Sequence, residues 1–217
     1  MMAVVTHFVD EAMKKAQIDE FLQRVLEKAG YGGVDITKTP LGTNIVVYAM
    51  KPGLVIGRGG ETVKTLSRDL EKLFGLSDPQ ISVAELEIPE LNAFVMASRL
   101  ASALKQGVHF RRSAFWTLNR ITEAGALGVE IIISGKLRTD RARHEKFKTG
   151  YLPKSGDPAI KNLSRATMQV KLKPGIFGIK VTILPPNAKF PDRVQIITEP
   201  AEQTLPEIDT QKEEGAE

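Results

Sequence analysis

Apolar residues recur along the first part of the chain at the spacings of helices and strands. Residues 17–29 repeat apolar side chains at helical spacing, and Gly30 ends the predicted helix. Two strands follow, "GVDITKTP" and "TNIVVYAM", and then a short apolar helix, "KPGLVIG". A longer helix, "ETVKTLSRDLEKLFG", and a third strand, "ISVAELEI", complete the segment. The pattern predicts a small α+β unit over residues 17–88, in the order helix, strand, strand, helix, helix, strand.

The longer helix of this unit has an apolar stripe. Val63, Leu66, Leu70 and Leu73 lie three or four residues apart, so we expect all of them to be buried. Gly75 follows the stripe and is the expected end of the helix. Residues 1–16 precede the first predicted helix and are interpreted as an N-terminal extension.

A second α+β domain is predicted over residues 89–198. Two apolar-striped segments, "ELNAFVMASRLASALKQG" and "HFRRSAFWTLNRITEAG", predict helices that end at Gly107 and Gly125. "LGVEIIISGKL" predicts a strand, and "ATMQVKLKPGIFGIKVTIL" predicts a hairpin with apolar residues on one face and lysines on the other. We therefore expect two helices packed on a mainly antiparallel sheet whose second face is basic.

Charge is distributed unevenly along the 217 residues, although the net charge is only +4. Residues 105–180 contain 16 basic and 5 acidic side chains, which favours a polyanion such as nucleic acid as the partner. Residues 199–217 contain seven acids and one base without apolar periodicity, and are interpreted as an acidic mobile tail. The chain has no cysteine, no apolar run of membrane-spanning length and no signal-peptide pattern, so we expect an intracellular protein that does not contact membranes.

The stretch "GLVIGRGGETVKTL" places Gly57, Gly59 and Gly60 around Arg58, between two helical segments. A phosphate-binding P-loop requires glycine where Arg58 stands, and a dinucleotide fingerprint requires glycine where Thr62 stands, so both are excluded. A G-x-x-G loop between two helices fits, because it lets a nucleic-acid backbone approach the turn and the N-terminus of the next helix. A simple tight turn between helices is the alternative interpretation. In the RNA-binding interpretation, Arg58 and Lys51 supply positive charge.

The position of this loop within the predicted order of elements resembles the type-two KH domain, an RNA-binding fold. The resemblance extends over nearly the whole chain: "FVDEAM", "EFLQRVLEKAGYGGVDI", "FRR", "GVEIIISGKL", "KSGDP", "PGIFGIKVTI" and "PDRVQIITEP" are similar to the uS3 family of small-subunit ribosomal proteins in its archaeal or eukaryotic form. The chain lacks the longer insertion that eukaryotic members carry before the last of these segments, which favours an archaeal source.

The resemblance implies a structural protein in the head of the cytoplasmic small ribosomal subunit. Its expected partners are small-subunit ribosomal RNA, messenger RNA at the channel where it enters, and neighbouring ribosomal proteins of the head. Bacterial members carry a basic cluster, implicated in unwinding messenger RNA, on the helix that matches residues 109–124. Arg111 and Arg112 match this cluster, but Phe115 replaces its third basic residue. The unwinding role is therefore weakened, or is moved to another basic residue such as Arg120.

A longer basic surface is expected to contact ribosomal RNA. The run from 136 to 148 has six basic and two acidic residues and no apolar periodicity, so it is either a solvated loop or a segment that RNA orders, which we favour. Trp116 lies away from the apolar stripe of its helix and is expected to be buried against a neighbouring element. The alternative is that it stacks on a base or on a partner protein. The residues assigned to the basic surface are Lys136, Arg138, Arg141, Arg143, Lys146, Lys148, Lys171, Lys173 and Lys180.

The sequence contains no pattern that is typical of an enzyme active site. His7, His109 and His144 are far apart and show no metal-ligand spacing, and no motif for a nucleophile or a carboxylate pair is present. We expect no cofactor and no metal. The alternatives to a ribosomal RNA binder are a free-standing RNA-processing factor with a KH module and, as a minor one, a DNA-repair lyase or nuclease.

Overall fold

The computed structural model describes residues 2–39 and 42–190, and of residues 2–5 only the backbone. The predicted acidic tail, residues 199–217, and the segment "PDRVQIITEP" lie outside the described residues.

The first unit has the predicted order of elements. Its three-stranded sheet has the order β1-β2-β3, in which β1 and β2 are antiparallel and β2 and β3 are parallel. Apolar side chains of the helices and of β2 form one core, which includes Ile18, Leu22, Ile45, Val47 and Leu70. The elements are α1 (Met2–Val25), β1 (Tyr31–Thr39), β2 (Gly42–Ala49), α2 (Pro52–Ile56), α3 (Glu61–Phe74) and β3 (Pro79–Glu85).

Two predictions for the helices of this unit need correction. Helix α1 begins at Met2 instead of residue 17, so residues 2–16 of the N-terminal extension belong to the same helix. At the other end, Leu73 is not buried, since its exposed fraction is 64%. Its neighbour Phe74 packs against the core instead, with its ring centroid 5.9 Å from that of Phe21. The expected end of α3 is confirmed, because Gly75 caps it in a left-handed conformation. Helix α1 ends earlier than expected, at Val25, and Gly30 caps the 3₁₀ turn Glu27–Ala29 that follows it.

The second unit has two long helices on one face of an antiparallel sheet, as predicted. The strand order is β5-β4-β7-β6, and every neighbouring pair is antiparallel. Val129, Ile131 and Ile133 of β4 lie in the core with the apolar stripes of the helices. The elements are α4 (Ala93–Lys105), α5 (Phe110–Glu123), β4 (Gly128–Gly135), β5 (Arg143–Gly150), α6 (Asp157–Lys161), β6 (Ser164–Leu172) and β7 (Gly175–Leu184).

The basic run from 136 to 148 is only partly a loop, which corrects the sequence interpretation. Its second half belongs to β5, an edge strand in which Phe147 alone is buried. An edge strand with charged side chains resists pairing with another chain, and this explains why it carries so little apolar periodicity.

Helix α4 connects the two units. The Asn92 side chain caps α4 by accepting hydrogen bonds from the N–H groups of Phe94 and Val95, and it donates one to the Gly32 carbonyl of β1. Ser98 donates a hydrogen bond to the Glu27 carbonyl, 3.2 Å away. These contacts fix the start of the second unit against the first.

Candidate nucleic-acid interface

The glycines between α2 and α3 serve two different purposes. Gly57, Gly59 and Gly60 have φ angles of 73°, 60° and 76°, a region that favours glycine. A Cβ atom on Gly57 would lie 2.0 Å from Oγ1 of Thr62, so Gly57 is required for packing inside the turn. A Cβ atom on Gly59 or Gly60 would meet nothing within 4 Å. The second half of the turn therefore presents bare backbone to its surroundings.

The N-terminus of α3 directly follows this backbone. No side chain caps it, since Gly60 stands at the cap position. The free N–H groups of a first helical turn and the positive end of the helix dipole attract anions. Arg58 is exposed within the turn and adds a full positive charge. This arrangement is suited to a phosphate of a nucleic-acid backbone.

Lys51, which we assigned to the same loop, lies at the other end of α2. Lys51 precedes the helix and Arg58 follows it, and five helical residues span about 7.5 Å. Lys51 lines a separate groove between the two units, together with Arg99 and Trp116. The structure thus does not bring Lys51 to the tip of the G-x-x-G turn.

Arg111 is held by an acidic residue of the neighbouring strand. Its Nε and Nη2 atoms donate to the two carboxylate oxygens of Glu145 at 2.8 and 3.1 Å, and Arg138 lies 3.9 Å from the same carboxylate. The hydrogen bonds to Arg111 lower the pKa of Glu145, and the same contact raises the pKa of Arg111. The charge of Arg111 is therefore paired with Glu145 of β5.

The side of α5 that does not carry Arg111 carries Arg112, Trp116 and Arg120, which follow one another at intervals of four residues. Trp116 is 50% exposed, so the prediction that it is buried is wrong. The Arg120 guanidinium lies over the indole at 5.3 Å from its centroid, and 3.7 Å from the Glu90 carboxylate. Arg112 is exposed and has no ion pair within the described part of the chain. Arg111 and Arg112, which were assigned together from the sequence, thus lie on different sides of α5.

The face of the second sheet that α4 and α5 do not cover carries the basic side chains of the hairpin and of β5. Successive side chains of a strand alternate between the two faces, so the open face follows from the register. Lys146 of β5 and Lys180 of β7 both lie opposite Ile132 of β4, one on each side. Lys148 and Thr182 flank Glu130 in the same way. We call this surface the open sheet face; its basic residues are Lys146, Lys148, Arg165, Lys171 and Lys180.

Glu130 lies at the centre of the open sheet face and is 5% exposed. Lys154 donates a hydrogen bond to one carboxylate oxygen. Lys146 Nζ lies 3.0 Å from the other oxygen, as an ion pair without well-aligned hydrogen-bond geometry. Burial raises the pKa of Glu130, but the two lysines outweigh this effect, so its pKa is below the ordinary value. A single carboxylate therefore fixes two lysine side chains on this face.

Not all predicted basic residues share the open sheet face. Arg143 lies an even number of residues from the buried Phe147, so both are on the face of β5 that the helices cover. Arg138 approaches Glu145 on that same face. Lys136 and Arg141 lie in the connection from β4 to β5, and Lys173 lies in the turn from β6 to β7. Sequence reasoning missed Arg165 and Lys154. The alternation of His144, Lys146 and Lys148 is the sequence signal that could have identified a strand face here.

Within residues 6–39 and 42–190, no three His, Asp or Glu side chains are grouped so that they could hold a metal ion. Among the helices of residues 2–39 and 42–190, none has the length and apolar character needed to cross a bilayer.

Each of the two units matches the model of a known protein family. A family model for the KH domain matches residues 17–91, and one for the C-terminal domain of ribosomal protein S3 matches residues 100–183. The small ribosomal subunit protein uS3 of Methanosphaera stadtmanae is 46% identical over 93% of this chain and 82% of its own length. The proteins of the same name from Methanobrevibacter smithii and Saccharolobus solfataricus are 50% and 49% identical, over 88% and 90% of this chain and 76% and 85% of their own lengths.

Proposed function

Because the chain belongs to the uS3 family of small ribosomal subunit proteins, we propose that it is a structural component of the small subunit in the cytoplasm and binds ribosomal RNA there. It has no catalytic role in this function. The observation that carries the proposal is the presence, on one chain of this family, of an open G-x-x-G turn and a basic open sheet face.

The two surfaces bind RNA in different ways in this proposal. The turn formed by Gly57, Arg58, Gly59 and Gly60 approaches the RNA backbone closely, and the N-terminus of α3 faces a phosphate. The open sheet face binds phosphates through lysine and arginine side chains, and reads shape and charge more than sequence. The connection that contains Lys136 and Arg141, and the turn that contains Lys173, extend this basic surface.

Messenger RNA is the proposed partner of the exposed side of α5. Arg112 is exposed and unpaired within the described residues, and Arg120 stacks on the half-exposed Trp116. A guanidinium next to an exposed aromatic ring suits an unpaired strand, because it contacts phosphate while the ring stacks on a base. Arg111 supports this role only indirectly, since it is bound to Glu145. Neighbouring ribosomal proteins of the head are further proposed partners.

The division at residues 88 and 89 remains part of the proposal, with residues 17–88 as the KH domain and 89–198 as the ribosomal domain.

An RNA-processing factor and a DNA-repair enzyme are not favoured, because the relatives named above are small ribosomal subunit proteins. Sedimentation of the tagged chain in cell extracts tests the function. Comigration with small subunits is expected, whereas recovery only in the soluble fractions would favour one of the alternatives.

The messenger RNA role is tested by comparing Arg112→Ala with Arg111→Ala in reconstituted subunits. We expect both variants to assemble, because ribosomal RNA is bound by other surfaces. Arg112→Ala is expected to slow translation through a stable hairpin relative to an unstructured message, and Arg111→Ala to slow it less, because its charge is already paired. Equal ratios for both variants and the wild type would contradict the role of α5, and failed assembly would assign Arg112 to ribosomal RNA.

A further inference from the structure

A groove of about 350 Å³ lies between the two units, at the end of α2 that is remote from the G-x-x-G turn. The 3₁₀ turn after α1, the start of α2, helix α4 and Trp116 of α5 form its walls. Its lining residues include Lys28, Met50, Lys51, Ser98, Arg99 and Trp116.

The groove has unpaired positive charge and no unpaired carboxylate within the described residues. Glu27, which lines it, is bound to Lys105 at 2.5 Å. Arg99, which also lines it, is bound to Glu90 at 3.1 Å. Lys28 and Lys51 are exposed, and neither forms an ion pair with a described residue. An anionic ligand would therefore meet two free ammonium groups there.

Trp116 gives the groove an aromatic surface. Half of this large side chain is exposed, although burial is the common state of tryptophan. Arg120 lies over the ring, so a cation and an indole are already stacked at the margin of the groove. An exposed aromatic ring next to cationic side chains is the arrangement with which proteins bind unpaired nucleotides. An acidic peptide would use the lysines but would leave the indole without a stacking partner.

We propose that this groove binds one unpaired RNA nucleotide, with its base stacked on Trp116 and its phosphate contacted by Lys28 and Lys51. The inference rests on the proposed function, since it assumes RNA as the partner, but it concerns a site separate from the G-x-x-G turn and from the open sheet face. It also gives Lys51 a role that the position of this residue at the start of α2 allows.

The chain contains a single tryptophan, so tryptophan fluorescence reports on ligands at Trp116. Trp116 also belongs to the messenger RNA surface proposed for α5, and the lysine variants below distinguish the groove from that surface. The full chain is titrated with a short oligouridylate. Base stacking is expected to quench the fluorescence in a saturable way, and increasing salt is expected to weaken binding. In Lys28→Ala with Lys51→Ala, the slope of log affinity against log salt should fall by about 0.7 for each lysine. Polyglutamate, the competing class of ligand, should not quench.

Lys14→Ala with Lys72→Ala serves as the matched control, because it removes the same charge from exposed positions outside the groove. It should keep both the quenching and the affinity. Trp116→Ala should weaken binding of a labelled oligouridylate at least about fivefold, the lower range for loss of one base–aromatic stack.

Three results would overturn the inference: no quenching by oligouridylate, equal quenching by polyglutamate, or unchanged affinity in the variant that lacks both lysines. Each is distinguishable from failure of the proposed function, which is measured by comigration of the wild-type chain with small subunits. A chain that comigrates but shows any of the three results has the proposed function without this site.

Discussion

The G-x-x-G turn and the open sheet face, which are the two proposed RNA-binding surfaces, differ in what they expose. The turn exposes bare backbone at Gly59 and Gly60 and has one charged side chain, Arg58. The sheet face exposes several lysines, and the buried Glu130 fixes two of them. In the proposed function, backbone conformation therefore determines RNA binding at the first surface, and side-chain charge determines it at the second. The turn should be sensitive to shape and the sheet face to salt.

The largest effect is expected when shape and charge are changed together in the turn. Arg58→Asp with Gly59→Asp places two carboxylates where a phosphate approaches, and like charges in contact cost several kcal/mol. Incorporation into small subunits should fall at least about tenfold. Asp at the left-handed φ of Gly59 costs about 1 kcal/mol, which lowers the melting temperature by about 2 to 4 °C. No larger fall is expected, because both positions are exposed and a Cβ atom on Gly59 meets no neighbour within 4 Å.

Lys72→Asp with Ser77→Asp makes the same change in net charge at exposed positions near the C-terminal end of α3. This control should be incorporated normally. If both variants are incorporated equally well, the turn is only a connection between helices, and the contrast between the two surfaces is wrong.

An intermediate effect is expected on the open sheet face. Lys146→Ala with Lys180→Ala removes two charges that flank Ile132, and the buried Glu130 keeps Lys154 as its ion-pair partner. The slope of log affinity for a ribosomal RNA transcript against log salt should fall by about 0.7 to 0.9 for each lysine that contacts a phosphate. The turn variant should lose affinity with a smaller change in this slope.

Lys14→Ala with Lys72→Ala is the charge-matched control for the sheet-face variant and should keep the wild-type slope. A sheet-face variant with the wild-type slope would remove Lys146 and Lys180 from the interface.

The smallest effect is expected for Glu130→Gln, which removes the negative charge that pairs with Lys146 and Lys154 on the open sheet face. The pKa of Glu130 is lowered from an ordinary value of 4.5, so the folded state favours the charged form. The resulting stabilisation is fully present above that ordinary value and is lost as pH falls through the lowered one. Urea unfolding at neutral pH should show a loss of roughly 1 kcal/mol, since a neutral acceptor replaces a charged one. The difference between variant and wild type should shrink in acid.

Glu85→Gln is a control at an exposed carboxylate. At neutral pH it should unfold at the same urea concentration as the wild type, because Glu85 is exposed. A loss for Glu130→Gln that is equal at neutral and acid pH would mean that the charge of Glu130 does not organise the two lysines.

Much of the fold was predictable because local patterns determine it. Gly30 and Gly75 end helices since each takes a left-handed conformation, and alternation in β4 identified its buried residues. Leu73 was predicted wrongly because it lies in the last turn of α3, where Phe74 reaches the core instead. Strand β5 was missed since an edge strand with one buried residue has almost no apolar pattern.

The arrangement of the candidate interface was less predictable, because it depends on contacts between distant residues. Arg111 and Glu145 are separated by 34 positions, and the pairing follows only from the packing of α5 beside β5. Trp116 remains exposed since its side of α5 faces the groove between the units. The sequence identified which residues are basic, but the order β5-β4-β7-β6 determines which of them share a face.

The two-surface account is tested most directly by ultraviolet crosslinking of assembled small subunits, followed by mass spectrometry of the peptides bound to RNA. We predict crosslinks in the turn at residues 57–60 and in the strands that carry Lys146 and Lys180, and none at the C-terminal end of α3 near Lys72. Crosslinks near Lys72, with the turn and the open sheet face free of RNA, would contradict the account.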